Sequence, residues 1–212
     1  MELISRTFST IKQQKIQFSV SWLITLLTLL ILTSLSMLNL LLQRLDSADQ
    51  IQLLTTEEVH QLQKYFFDQL VIVAICFFVL IVLFFGFRIY QQKKTAGLKQ
   101  LIDSISLEFF FELLIASVGL ILFVILFEPM YTSILQFFYH QGLNQLTELP
   151  NFVLSNGTSG IAYSIRSPLS FDLSSTAWLN LFFVSLFKIV FSLFLCLCLL
   201  IFTFRLLYFR NK

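Results

Sequence analysis

The chain has 212 residues, of which 57% are hydrophobic and only 12% charged, with a formal net charge of +2 and a mean hydropathy of +0.84. Soluble domains average about 45–50% apolar and about 25% charged residues, so this composition excludes an ordinary water-soluble fold and points to lipid. The three cysteines, Cys76, Cys196 and Cys198, all lie inside apolar runs, which excludes an extracytoplasmic disulfide framework and leaves them as small apolar side chains.

Residues 1–17 read as a basic amphipathic lead-in. Leu3, Ile4, Phe8 and Ile11 recur at helical spacing beside Arg6, Lys12 and Lys15, which suits the inner membrane surface. A frayed basic tail is the plainer alternative. The first apolar run, 18–42, is too long for the core of a cleavable signal and lacks a small-x-small site near its end, so it is expected to be retained as the first span. Ser21, Thr25, Thr28, Ser36 and Asn39 fall along one of its faces, a stripe read as a packing seam in preference to a permeation path.

Residues 43–67 form a short outside segment, read as a helical hairpin tip too small to fold alone. Within it, Thr55 and Glu58 make a capping-box pattern, so a helix is predicted to start there and run unbroken into the second span, 68–87. The basic segment 88–106 follows, then the third span at 107–127. Glu108 and Glu112 stand at i, i+4 on the same face as Ala116 and Gly119, turned toward the bundle. They can be read as a paired-carboxylate proton or cation site, or as acids paired with a nearby base such as Lys99 or Arg205.

The longest outside segment, 128–177, begins with an aromatic amphipathic stretch that could lie on the outer membrane surface. It continues with Asn156-Gly157 between two short apolar runs, a hairpin turn signal bracketed by Pro150 and Pro168. Asn156-Gly157-Thr158 also matches a glycosylation sequon, but turn chemistry is the preferred reading. The fourth span covers 178–204, and the tail 205–212 is basic. Ser185, Lys188, Ser192, Cys196 and Thr203 are placed on one face of that span. Lys188 is the one basic residue within an apolar run. It either snorkels toward an interface or joins a polar seam facing the hydroxyls of the first span.

Segments 1–17, 88–106 and 205–212 hold ten of the fourteen basic residues, and the two opposite loops hold three. The positive-inside rule then places both termini and the central segment in the cytosol. The expected fold is an all-α membrane protein with four transmembrane helices, both termini cytosolic, and a small extracytoplasmic loop region holding a short β-hairpin. The expected location is a bacterial plasma membrane. His60 and His140 are isolated and no nucleophile–base set or P-loop is present, so no catalytic, metal or cofactor residue is assigned and no enzyme is expected. The basic residues flank a membrane, so nucleic acid is not needed to explain them.

The order of these segments resembles the four-helix permease core of FtsX/MacB-type ABC transporters. The motif resemblance lies in Lys94-Thr95-Ala96-Gly97-Leu98-Lys99-Gln100-Leu101-Ile102-Asp103, where Lys94, Leu98, Lys99 and Leu101 agree with a basic family pattern ending in glycine. Thr95 replaces the usual acid and Asp103 the usual glycine, where an aspartate could still hold a left-handed turn. The resemblance implies a coupling helix at 95–106, with Lys94, Gly97, Leu98, Lys99, Leu101 and Asp103 facing a separate cytosolic P-loop ATPase. ATP would bind that partner and not this chain. The resemblance further implies mechanotransmission through the first two helices, a second permease copy or related subunit, and a cargo such as a peptide, a lipid-like molecule, a toxic amphiphile or a regulated cell-wall hydrolase. The rival expectation is a small accessory, immunity or regulatory protein that meets a partner through 128–177.

Overall fold

The computed structural model describes residues 15–46, 56–92, 98–145, 153–157, 160–164 and 175–210. In chain order these form α1 (Lys15–Asp46), α2 (Thr56–Gln92), α3 (Leu98–Leu126), α4 (Glu128–Gln145), β1 (Val153–Gly157), β2 (Gly160–Ser164) and α5 (Ser175–Arg210). The helices α1, α2, α3 and α5 are each long and apolar enough to cross a membrane. Residues 1–14, 93–97 and 165–174 of the expected lead-in, link and outer loop lie outside the described residues, as do Pro150 and Pro168.

Local chemistry explains the helix limits. The second helix starts at Thr56, one residue after the expected capping threonine, with Glu57 and Glu58 in its first turn where the dipole favours acids. It then continues without interruption from the second half of the expected hairpin tip through the second span. The third helix stops at Leu126 because Pro129 supplies no amide hydrogen and its ring crowds the preceding turn. Pro129 instead sits in the first turn of α4, where its missing donor costs nothing. Hydroxyls within α1 are satisfied by its own carbonyls: Thr25 donates to Ser21 O at 2.9 Å, Thr28 to Ile24 O at 2.8 Å and Thr33 to Leu29 O at 2.6 Å. Such back-bonding lets a polar stripe run through an apolar helix.

By internal contact the chain divides into two units. The first takes Met1–Thr33, Val71–Phe127 and Leu186–Lys212. Its core is built from one stripe per helix: Ser21, Thr25 and Leu29 on α1; Phe77, Ile81, Phe85 and Arg88 on α2; Ile105, Phe109, Ala116 and Leu120 on α3; and Ile189, Leu193, Leu197 and Leu200 on α5. Their 3–4-residue spacing is that of a helix face. Phe85 ties three helices together, its ring 5.9 Å from Phe109 and 4.9 Å from Phe204. Gly119 meets Leu26 and Trp22 of α1 across the same core.

The second unit takes Ser34–Leu70 and Glu128–Ser185. Here α4 buries Tyr131, Leu135 and Tyr139, while α2 buries Val59, Leu62 and Phe66. Tyr131 is fully enclosed, edge-on to Trp178 and Phe182 at 5.6 Å each. Gly142 packs against Phe66 and Leu62 too closely for a Cβ. The two strands pair antiparallel, with Asn156 opposite Ile161 and Gly157 opposite Gly160. This register corrects the expected turn: Asn156 and Gly157 belong to β1.

Candidate functional site: a buried charge cluster on three helices

In the first unit, the core stripe of α2 ends not on an apolar residue but on Arg88, which is 3% exposed. On α3, Glu108 and Glu112 are one turn apart and 3% and 0% exposed. The arginine fork bridges them: Nη1 donates to Glu108 Oε2 at 3.1 Å and Nη2 to Glu112 Oε1 at 2.5 Å. Ser21 of α1 donates to the other oxygen of Glu112 at 2.7 Å. The guanidinium carbon also lies 4.7 Å from the centre of the Phe109 ring, a cation–π contact. Three helices therefore meet at Glu112, which binds Arg88 of α2 and Ser21 of α1.

The two carboxylates are not equivalent. Both oxygens of Glu112 are engaged, one by Arg88 and one by Ser21. Glu108 is held through Oε2 only, and its Oε1 is buried without a hydrogen-bond partner. A planar fork serves two carboxylates at once through donors held at a fixed, wide spacing, a geometry that a compact lysine ammonium does not reproduce. The chemistry of this cluster is that of a clamp. It fixes the end of α2 to the start of α3, where a five-residue stretch, 93–97, joins them. A small cavity of about 150 Å³ adjoins the clamp, lined by Ile16, Gln17, Val20, Phe84, Phe87 and Arg88.

This geometry revises several expectations. The inward orientation of Glu108 and Glu112 agrees with the structure, but their base is Arg88, the first residue of the basic segment 88–106, and not Lys99 or Arg205. Arg205 pairs with Asp103 instead, at a partly exposed position. The sequence signal for Arg88 was present: it continues the Phe77, Ile81, Phe85 series at helical spacing. Among the residues expected to couple to an ATPase, Lys94 and Gly97 lie outside the described residues. Leu98, Lys99, Leu101 and Asp103 all belong to the opening turns of α3. Among the described residues no separate coupling helix precedes the third span, and Asp103 is helical where a turn was expected; residues 98–106 are the start of α3.

Lys188 also departs from the polar-seam reading. It is exposed, as are Ser192 and Thr203, and only Ser185 of that set is buried. The buried face of α5 is the apolar one instead. Lys188 has no hydrogen-bond or ion-pair partner among the described residues. A cation at the centre of a spanning helix costs about 2.5–3.5 kcal/mol to insert.

Between α3 and α5 runs an open apolar groove of about 450 Å³, lined by residues including Phe110, Leu114, Ser117, Val118, Val190 and Phe194. The Ser117 hydroxyl is already bonded to Leu113 O at 2.7 Å, so nothing polar there would orient a ligand. Among the described residues no three His, Cys, Asp or Glu side chains group as metal ligands. No family model, curated protein or solved structure matches the chain.

Proposed function

We propose that the chain is a non-catalytic membrane subunit of the FtsX/MacB-like ABC permease kind, coupling a separate cytosolic P-loop ATPase to export or mechanotransmission. In this reading the termini and the 93–97 link face the cytosol of a bacterial plasma membrane, following the distribution of basic residues. The observation that carries it is the Arg88 clamp. A push delivered at the 93–97 link would bend an unbraced helix connection, but here α2 and α3 are locked together just beyond it. The two helices would move as one lever, and Ser21 would pass the motion to α1. The expectation of two membrane subunits per complex follows from the same reading.

The test is co-purification with a P-loop ATPase encoded beside this chain, together with stimulation of its ATP hydrolysis. Leu98→Asp and Leu101→Asp are expected to abolish both while leaving the helical bundle folded by circular dichroism. Retention of ATPase binding by these variants would overturn the placement of the coupling surface. A second reading, an accessory protein acting through 128–177, is favoured by the exposed Met130 and Phe137 on the otherwise anchored α4. Under it, replacing 128–177 would abolish function while Leu98→Asp would be tolerated.

A further inference from the structure

Among the described residues, most of the charges deep within the apolar helices of the first unit are paired. Arg88, Glu108 and Glu112 are buried and paired with one another, and Asp103 is paired with Arg205. Lys188 is neither buried nor paired among the described residues. It stands on the outer face of α5 among Val184, Phe187, Phe191 and Leu195, each exposed, Phe187 by 72%. It lies seventeen residues before Arg205 and eleven after Ala177, about 25 Å and about 16 Å along the helix. The two distances together exceed a hydrocarbon layer of about 30 Å, and a layer that begins at Ala177 leaves Lys188 about 15 Å from either surface, deeper than snorkelling by one side chain recovers.

A cation held at this depth calls for a counter-charge. Among the described residues, a second copy of this chain does not bring one. Its intramembrane acids, Glu108 and Glu112, are enclosed and committed to Arg88. Asp68 and Glu128 are exposed, but Asp68 lies twenty residues before Arg88, about 30 Å along α2, and Glu128 follows the end of α3 at Leu126, fourteen residues and about 21 Å beyond Glu112. The Asp103–Arg205 pair sits one to two turns before the glutamates on α3, which puts Lys188 only about 15 Å above the level of Arg88. Rotation about the membrane normal preserves depth, so in a symmetric pair Asp68 and Lys188 would miss each other by about 15 Å.

We infer that the exposed face of α5 around Lys188 docks a transmembrane helix of a different protein that presents one Asp or Glu at mid-membrane depth. The carboxylate pairs with the Lys188 ammonium, and the flanking Phe187, Phe191, Val184 and Leu195 supply the apolar contact on either side. The inference rests on the membrane-spanning reading and not on the ATPase; failure to bind an ATPase leaves it standing.

The test uses the full chain, fluorescently labelled at its C-terminus and reconstituted in phosphatidylcholine vesicles. Three acceptor-labelled polyleucine helices are compared, with Glu, Gln or Leu at the central position. The Glu helix is expected to associate about tenfold more tightly than the Leu helix, as one strong polar contact within a bilayer gives. Lys188→Leu, which removes an exposed charge and leaves the core untouched, is expected to erase that preference, and Lys188→Arg to keep it. Equal association of the three helices with the wild-type chain overturns the inference and leaves Lys188 as a snorkelling residue. A preference that survives Lys188→Leu overturns it as well, as does Lys188-dependent energy transfer between two labelled copies without any added helix.

Discussion

Replacing Arg88 by leucine tests whether the clamp holds the bundle together. The substitution removes both Nη contacts and leaves Glu108 and Glu112 one helical turn apart, each at most 3% exposed, with no cation between them. Removing one member of a buried ion network costs about 3–5 kcal/mol, chiefly because the remaining charges are stranded away from water. For a chain of this length that corresponds to a fall in Tm on the order of 10 °C. The assay is thermal unfolding in detergent micelles, followed by circular dichroism. Arg88→Lys should recover only part of the loss, because the shorter, compact ammonium lacks the fixed spacing of the two Nη donors. The triple variant Arg88→Leu, Glu108→Leu, Glu112→Leu should return close to the wild-type midpoint, since replacing a whole buried ion network with apolar side chains is often neutral or stabilising. Two results would refute the reasoning: Arg88→Leu unfolding within about 0.5 kcal/mol of the wild type, the range of ordinary surface changes, or a triple variant no better than Arg88→Leu alone.

Other expectations follow from the same contacts. Glu112→Gln should destabilise more than Glu108→Gln in the same melting assay, because Glu112 uses both oxygens while Glu108 leaves Oε1 without a partner. Gly119→Ala should be neutral or raise stability by up to about 1 kcal/mol, the helix-propensity gain, since the new Cβ meets Leu26 at an ordinary 3.5 Å. Gly142→Ala should lower stability by about 1–3 kcal/mol through overpacking, because its Cβ would fall 2.8 Å from Phe66 Cζ and 3.2 Å from Leu62 Cδ2. Arg205→Ala should cost no more than about 1 kcal/mol, its side chain being half exposed beside Asp103; a loss matching that of Arg88→Leu would contradict the assignment of the clamp.

Composition and hydropathy alone determined that this chain carries four helices able to cross a membrane, because runs of some twenty apolar residues have few other stable solutions. The start of α2 beside Thr55 and Glu58, and the inward face of Glu108 and Glu112, were legible for similar reasons: capping and i, i+4 spacing are local rules. The partner of those acids was not. Arg88 shares the face of Phe77, Ile81 and Phe85, but only the packing of α2 on α3 decides that this face turns inward while Arg205 goes to Asp103. Lys188 shows the converse. Helical spacing aligned it with Ser185, but whether that line faces core or lipid depends on the rotation of α5 against its neighbours, and Ile189, Leu193 and Leu197 claim the interior. Periodicity within one helix says which residues share a face. What that face meets is a property of the other helices, and for Arg88 and Lys188 that difference separates a buried clamp from an unpaired charge.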